Sequence, residues 1–289
     1  MADQGRDGHA VIVLGSGESS EVIAADDDTV MKVYRPSAHP VVIDLEYRAA
    51  TLAADLGLPA VRPIELTWHG DRRAIRFERV RGPTLLRATL RNPLRLRDAF
   101  QRLARLQHSI NARPGEGLPN QRDVFWQTIS QARVSERVKR HALRALERLP
   151  ESDRFCHGDL HPENVLSTSA GLRVIDWQNA SAGHPALDAA RTVRAIRFNA
   201  VESRVPGLAT VTRAFRGLAV SWFLDAYSAA SGIPRSEIEA CYLPLEVARL
   251  AGRTKRDEAR SRALVDQLIA AERPHDASHS AAALPALAD

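Results

Sequence analysis

Four side chains in one stretch carry the chemistry this sequence can offer. From Phe155 to Trp177 the chain reads FCHGDLHPENVLSTSAGLRVIDW, which brings His157, Asp159, Asn164 and Asp176 close together in sequence. Asp159, Asn164 and Asp176 offer oxygen atoms and so suit a hard cation such as magnesium rather than zinc. The order His157-x-Asp159-x-His161 also has the form of a transition-metal site, but the oxygen set accounts for more of the cluster. Two acids and an amide around one cation point to a phosphate-transfer centre. That reaction needs in-line positioning and neutralised phosphate charge more than covalent help.

Short apolar runs frame these groups. Val165-Leu166 and Leu172 to Ile175 predict two strands joined by a turn at Ser169-Ala170-Gly171, so that Asn164 and Asp176 sit at the open end of a hairpin. Upstream, residues 9–15, Glu21 to Ala25 and Thr29 to Arg35 predict an antiparallel meander with a turn at Gly15-Ser16-Gly17. A glycine turn exposes backbone N–H groups that can cover phosphates, although most such turns simply close a hairpin. Lys32 lies inside the third strand. It is one of three lysines among 40 basic residues, so a compact point charge is wanted there where arginine is otherwise the rule.

Pro40 to Leu56 predicts a helix that starts on proline and stops before Gly57. Glu46 falls among its apolar positions, either as a solvated acid or facing the sheet and Lys32. Val61 to Trp68 and Arg73 to Val80 predict two more strands, and Arg81-Gly82-Pro83 a joint. Beyond it the periodicity turns helical. Helices are predicted over Leu96 to Ile110, Arg122 to Leu149 with one break, Leu187 to Phe198, Val211 to Ala230, Ser236 to Leu250 and Arg256 to Ala271. Ser236 with Glu239 fits a capping box. From about residue 273 the composition predicts a disordered tail.

Composition excludes several classes. With 44% hydrophobic and 26% charged residues the chain reads as globular. No apolar run approaches the roughly 18 residues a membrane helix needs, and MADQGRDGHA lacks the apolar segment of a signal peptide, so a cytoplasmic protein is expected. The net charge of +5 comes from arginines interleaved with acids, which reads as a solvated surface and not a nucleic-acid patch. Cys156 and Cys241 form no disulfide framework. Trp68, Trp126, Trp177 and Trp222 read as core or pocket walls.

His157-Gly-Asp159-Leu-His-Pro-Glu-Asn164 followed by Ile175-Asp176-Trp177 resembles the aminoglycoside phosphotransferase and choline kinase group, relatives of the protein kinases. The resemblance covers roughly residues 10 to 250. It implies an α+β, bilobal, protein-kinase-like fold, with an N-terminal five-stranded antiparallel sheet carrying one helix and a larger, mainly helical C-terminal lobe. Residues 1–82 would form the nucleotide-binding lobe and 83–289 the catalytic and substrate-binding lobe. By the same resemblance Asp159 accepts or orients the substrate hydroxyl, and Asn164 and Asp176 hold magnesium. Lys32, steadied by Glu46, binds the α/β-phosphates beneath Gly15, Ser16 and Gly17. Phe77 to Val80 form the hinge, with the Glu78 carbonyl and the Val80 N–H facing adenine. His157 braces the loop, Asp188 caps a helix behind it, and His161 contacts phosphate or faces solvent.

Two departures from protein kinases narrow the substrate. Asp176 is followed by Trp177-Gln178, and only eleven residues separate it from Asp188, too few for a peptide-binding activation segment. The implied activity is transfer of the γ-phosphate of ATP, or GTP, to a hydroxyl of a small molecule: an aminoglycoside or other antibiotic, an amino sugar, a sugar or an amino alcohol. The alternative is a nucleotide-binding regulatory module without catalysis. Glu202, Asp225, Glu237, Glu239 and Glu246 are the candidate acids for a cationic acceptor, and Trp222, Phe223, Tyr227 and Tyr242 the candidate aromatic cluster. No nucleic-acid or membrane partner is expected, and the chain would act as a monomer or homodimer.

Overall fold

Short apolar, β-branched runs separated by turn residues build the first lobe. The computed structural model describes residues 12–17, 19–198, 208–251 and 255–271. Strands β1 (Val13–Ser16), β2 (Ser20–Ala24) and β3 (Thr29–Tyr34) form the expected meander. Helix α1 (Pro40–Asp55) then crosses to β4 (Pro63–His69), which turns back into β5 (Arg72–Glu78). β5 slots between β3 and β4, giving one antiparallel sheet of order β1-β2-β3-β5-β4. Ile75 stands opposite both Lys32 and Leu66, so these three share one face of the sheet.

α1 starts where the sequence asks it to. His39 caps it by accepting the Val41 N–H, Pro40 occupies the first turn, and Gly57 at φ 72° ends it. Its buried face is Ile43, Glu46, Ala49, Ala50 and Ala53, a helical period that points Glu46 at the sheet.

The second lobe is mainly helical. It comprises α2 (Leu85–Arg91), α3 (Leu96–Asn111), α4 (Gln121–Ser130), α5 (Glu136–Glu147), α6 (Pro185–Phe198), α7 (Leu208–Ser231), α8 (Arg235–Ala240), α9 (Tyr242–Arg249) and α10 (Lys255–Ala271). Two small ribbons are set among them: β6 (Arg154–Cys156) with β9 (Ser181–Gly183), and β7 (Val165–Thr168) with β8 (Gly171–Val174). α3 packs along α7, and α9 packs against α4, α5 and α10. No helix of the described residues is long and apolar enough to cross a membrane.

The β7–β8 hairpin is the seam between the lobes. On one side the Val174 N–H donates to Pro59 O and the Val61 N–H to Val174 O, at 2.7 and 2.9 Å. On the other the Ser167 N–H donates to Pro83 O at 2.8 Å. Gly82 lies so close to that hairpin that a Cβ on it would come within 2.4 Å of the Ser167 carbonyl oxygen, which explains the glycine at the joint.

Several expectations are corrected. Gly15 and Ser16 belong to β1, so the turn starts only after them. α2 was not expected; Thr84 caps it by accepting the Arg87 N–H at 3.2 Å. The stretch Ser236 to Leu250 is two helices parted at Cys241. Ser236 is no cap, because α8 already begins at Arg235 behind Pro234. Trp177 is buried and Trp222 is packed against the core, but Trp68 and Trp126 are exposed. The start of the first predicted strand, Glu202 and the predicted tail lie outside the described residues.

Candidate active site

The site is assembled from both sides of the cleft. From β3, the Lys32 ammonium donates to both carboxylate oxygens of Glu46 at 2.7 and 2.8 Å, and to Asp176 Oδ1 at 2.8 Å. Tyr34, two residues along the same strand face, donates its hydroxyl to Glu46 Oε2 at 2.5 Å. Burial by itself pulls Lys32 down. The carboxylates of Glu46 and Asp176 outweigh it and hold the ammonium above its ordinary range, so Lys32 stays charged. Lys32 thus ties the N-terminal sheet to the residue after the hairpin in the other lobe.

The loop Cys156 to Asn164 supplies the opposite wall. His157 is fully buried; its Nε2–H donates to Ile175 O at 3.1 Å and its Nδ1 accepts the Asp159 N–H at 3.2 Å. Both ring nitrogens are committed, so His157 has no lone pair left for a metal. Asn164 donates Nδ2 to Asp159 O at 2.9 Å, and the Ile175 N–H donates to Asn164 O at 3.0 Å. The peptide that carries Asp159 is therefore fastened at its nitrogen and at its carbonyl, while the carboxylate itself stays 34% exposed. Asp188, wholly buried, accepts the His157 N–H at 3.2 Å and the Gly158 N–H at 2.7 Å. Gly158 has φ 79°, and a Cβ there would come within 2.1 Å of Asn179 O, so only glycine fits.

Asp176 is the only non-glycine residue with positive φ among the described residues, at 67°. Backbone strain of this kind is found where a side chain must be aimed. Here it turns Asp176 back toward Lys32.

The remaining expected residues are placed as follows. His161 is largely buried, with Nδ1 accepting the Glu163 N–H and Nε2 3.7 Å from Asp159 Oδ2, so it does not face solvent. Gly15, Ser16 and Gly17 are exposed at the end of β1. Their polar contacts run to Arg35, which donates to Ser16 Oγ and Gly17 O, and to Ser20 O, which accepts the Gly17 N–H. Phe77 is core, and Val80 packs against the core just past β5. The Glu78 side chain accepts from Arg173 of β8 and from the Arg62 N–H, a further tie across the lobes. Sequence reading passed over Arg173 and Tyr34. Tyr34 carried a usable signal, its period-two spacing from Lys32.

The site is a buried lysine pinned between two acids, with a braced loop that carries one partly exposed carboxylate and one amide. The model of the phosphotransferase enzyme family matches residues 10–220. The chain belongs to that family. No curated protein matches the sequence. Among solved structures the phosphotransferase is similar to an aminoglycoside-3'-phosphotransferase of type VIII, with 20% identity, 82% of this chain and 93% of that chain covered, and a TM-score of 0.59. It is similar to a choline kinase of Streptococcus pneumoniae, with 16% identity, 91% and 94% covered, and a TM-score of 0.62. It is also similar to an amicoumacin kinase in complex with AMP-PNP, Ca2+ and Ami, with 12% identity, 91% and 88% covered, and a TM-score of 0.60. The shared fold is the bilobal, kinase-like one.

The candidate acceptor groups of this phosphotransferase are mostly spoken for. Glu246 is buried against Arg194 at 2.7 Å and Ser261 at 2.7 Å. Asp225 pairs with Arg235, and Glu237 lies 3.5 Å from His184. Phe223, Tyr227 and Tyr242 are buried and form no open cage. A cavity of about 530 Å³ lies away from the cleft residues, lined by Asn120 to Asp123, Leu146, Leu149 to Asp153, Gly183 and His184.

His157 gives the enzyme a pH signature. Burial lowers its pKa from 6.5, against the pull of Asp188, Asp159 and Asp176. The unfolded chain then takes up protons first as pH falls, so stability drops below about pH 6.5, by up to roughly 1.4 kcal/mol per pH unit from this one group. His184 is lowered in the same direction. Unfolding free energies measured by urea between pH 7 and 5.5 should fall with pH, and less steeply in His157→Gln. A flat wild-type profile would contradict the neutral, buried assignment.

Proposed function

We propose that this phosphotransferase moves the γ-phosphoryl group of a nucleoside triphosphate to a hydroxyl of a small molecule. The observation that carries the reading is the Glu46–Lys32–Asp176 chain, which joins a cation of the first lobe to an acid just past the β7–β8 hairpin. Residues 1–82 serve as the nucleotide lobe and 83–289 as the lobe for catalysis and acceptor.

The donor set fits magnesium. Asn164 has committed its amide nitrogen to Asp159 O, so its amide oxygen is the atom able to ligate. Asp176 gives one oxygen to Lys32 and keeps the other. Two protein oxygens match magnesium, which keeps waters and substrate phosphates as its other ligands. When bound, the ion would neutralise charge on the phosphates.

The chain's own residues do the rest. Lys32 shifts from Asp176 toward the phosphates while Glu46 and Tyr34 hold its place. The exposed strand end Gly15 to Gly17 covers the phosphates from above, and the strand end Phe77 to Val80 receives the base. Asp159 accepts the proton of the acceptor hydroxyl as its oxygen bonds to the γ-phosphorus, the bond to the bridging oxygen breaks, and the nucleoside diphosphate leaves. His161, with Nε2 turned toward Asp159, donates to that carboxylate or to the transferring phosphate.

The acceptor is a hydroxylated small molecule of the kinds named by the structural neighbours: an aminoglycoside, amicoumacin or choline. The test is ADP or GDP release from the full chain with magnesium, across aminoglycosides, amino sugars, sugars and amino alcohols, with the phosphate ester identified by mass spectrometry. Acceptor-dependent release is expected. Nucleotide binding without release on any acceptor would support the regulatory module instead.

A further inference from the structure

Behind the catalytic loop runs a buried polar chain that reaches the C-terminal helices. Asp188 accepts three N–H donors, two of them the loop's own backbone at His157 and Gly158. The third is a side chain, Nδ2 of Asn111 at the end of α3, 2.9 Å from Asp188 Oδ2. The same Nδ2 donates to Phe155 O at 2.9 Å. On its other side Asn111 Oδ1 accepts the hydroxyl of Tyr227, near the C-terminal end of α7, at 2.7 Å. Asn111 is 4% exposed, and Asp188 and Tyr227 are fully buried.

The orientation of the Asn111 amide follows from its neighbours. Flipped, it would set its oxygen against both the Asp188 carboxylate and the Phe155 carbonyl, two acceptor-to-acceptor contacts. With the nitrogen on that side, the oxygen faces Tyr227, whose hydroxyl is then the donor. Burial raises the Tyr227 pKa, so the donor keeps its proton. Every hydrogen-bonding atom of the amide is thus used, and no second arrangement uses them as well.

We propose that Asn111 and Tyr227 are positioning residues for the catalytic loop: the Tyr227 hydroxyl fixes the Asn111 amide, the amide fixes Asp188, and Asp188 holds the peptide that carries Asp159. The proposal rests on the phosphotransfer reading for its effect on rate, but not for the mechanical coupling itself. It makes α7, an element of the acceptor-side helices, a determinant of where the Asp159 carboxylate sits. Asp188 accepts from Gly158, the residue next to Asp159, so a change in the carboxylate's tilt passes directly to the reacting group.

The decisive variant is Tyr227→Phe, which keeps the ring and its stacking on Phe223, 5.8 Å between centroids, and removes only the donor. Amide hydrogen exchange in the peptide spanning residues 155–160 should quicken by about threefold or more, because a weakened clamp opens locally before the fold does. With Mg·ATP as the probe, and water as acceptor if no better one is known, kcat should fall about tenfold, as a misplacement of an ångström or less allows. The Kd for Mg·ATP should stay within about twofold, since Lys32 is untouched. Val220→Ala, a buried change on the same helix, should leave exchange in that peptide and kcat as they are. Asn111→Asp, which sets a carboxylate against Asp188, should act in the same direction as Tyr227→Phe and more strongly. Wild-type exchange of residues 155–160 in Tyr227→Phe would overturn the proposal whatever the rates. If no acceptor, water included, yields ADP, the exchange measurement still decides the coupling, and the failure falls on the phosphotransfer reading alone.

Discussion

Replacing Asp159 by asparagine lowers phosphoryl transfer by about 10²- to 10⁴-fold, the usual contribution of a positioned proton acceptor. The expectation follows from how unequally the residue is used. Its backbone is fastened at both ends, by His157 and by Asn164, yet its carboxylate stays 34% exposed, with His161 Nε2 3.7 Å from Oδ2. Asparagine preserves the shape and the loop's hydrogen bonds and removes the ability to take a proton. Stability should therefore change by no more than about 0.5 kcal/mol, as for other partly exposed polar positions, and the Kd for Mg·ATP by about twofold or less. Single-turnover transfer and urea unfolding on the same preparation separate these outcomes. Full transfer by Asp159→Asn would remove the residue from the mechanism. A loss of transfer matched by a loss of folding would make it structural.

How much of this site could be read from sequence differs by residue, for physical reasons. The loop and hairpin were legible because they depend on local chemistry: polar ligands at fixed spacing between β-branched runs, and a glycine where a Cβ has no room. The five strands of the first lobe were legible as short, apolar and largely β-branched runs parted by turn residues, and α1 as an apolar stripe between a proline and a glycine. Glu46 was ambiguous, since an acid in an apolar stripe reads the same whether it is solvated or paired. Only the sheet register, which puts Lys32 and Tyr34 on the face beneath α1, resolves it. Asn111 gave no signal, and Tyr227 was read only as a candidate for an aromatic cage. They lie 116 residues apart and each looks like an ordinary helical residue until α3 and α7 are packed together. The candidate acceptor groups misled for the opposite reason. Acids and aromatics that look available in sequence are buried within the helical core, Glu246 paired with Arg194 and Tyr242 packed among apolar side chains.

The second large effect concerns that same lysine. Lys32→Met should destabilise the fold by about 3–5 kcal/mol, because removing one partner of a buried pair strands the other. Glu46 is 1% exposed and accepts two hydrogen bonds from Lys32 and one from Tyr34. Burial already pushes its carboxyl above the usual range, with Lys32 pulling the other way. Without the ammonium that restraint goes, and Glu46 holds a proton at higher pH. A carboxyl whose folded pKa is raised stabilises at low pH and loses that contribution as pH rises. The deficit of Lys32→Met relative to wild type should therefore grow between pH 5 and pH 8. The double variant Lys32→Met with Glu46→Gln should recover part of the loss at neutral pH, since glutamine can still accept from Tyr34 and carries no charge to strand. Asp176 needs no such rescue, because it is 24% exposed and water can replace the lysine. Additive losses in the double variant, or a deficit independent of pH, would mean that Glu46 is not held by Lys32 in solution. In that case the charge that faces the phosphates is not preset by the sheet, and the nucleotide itself would have to organise it.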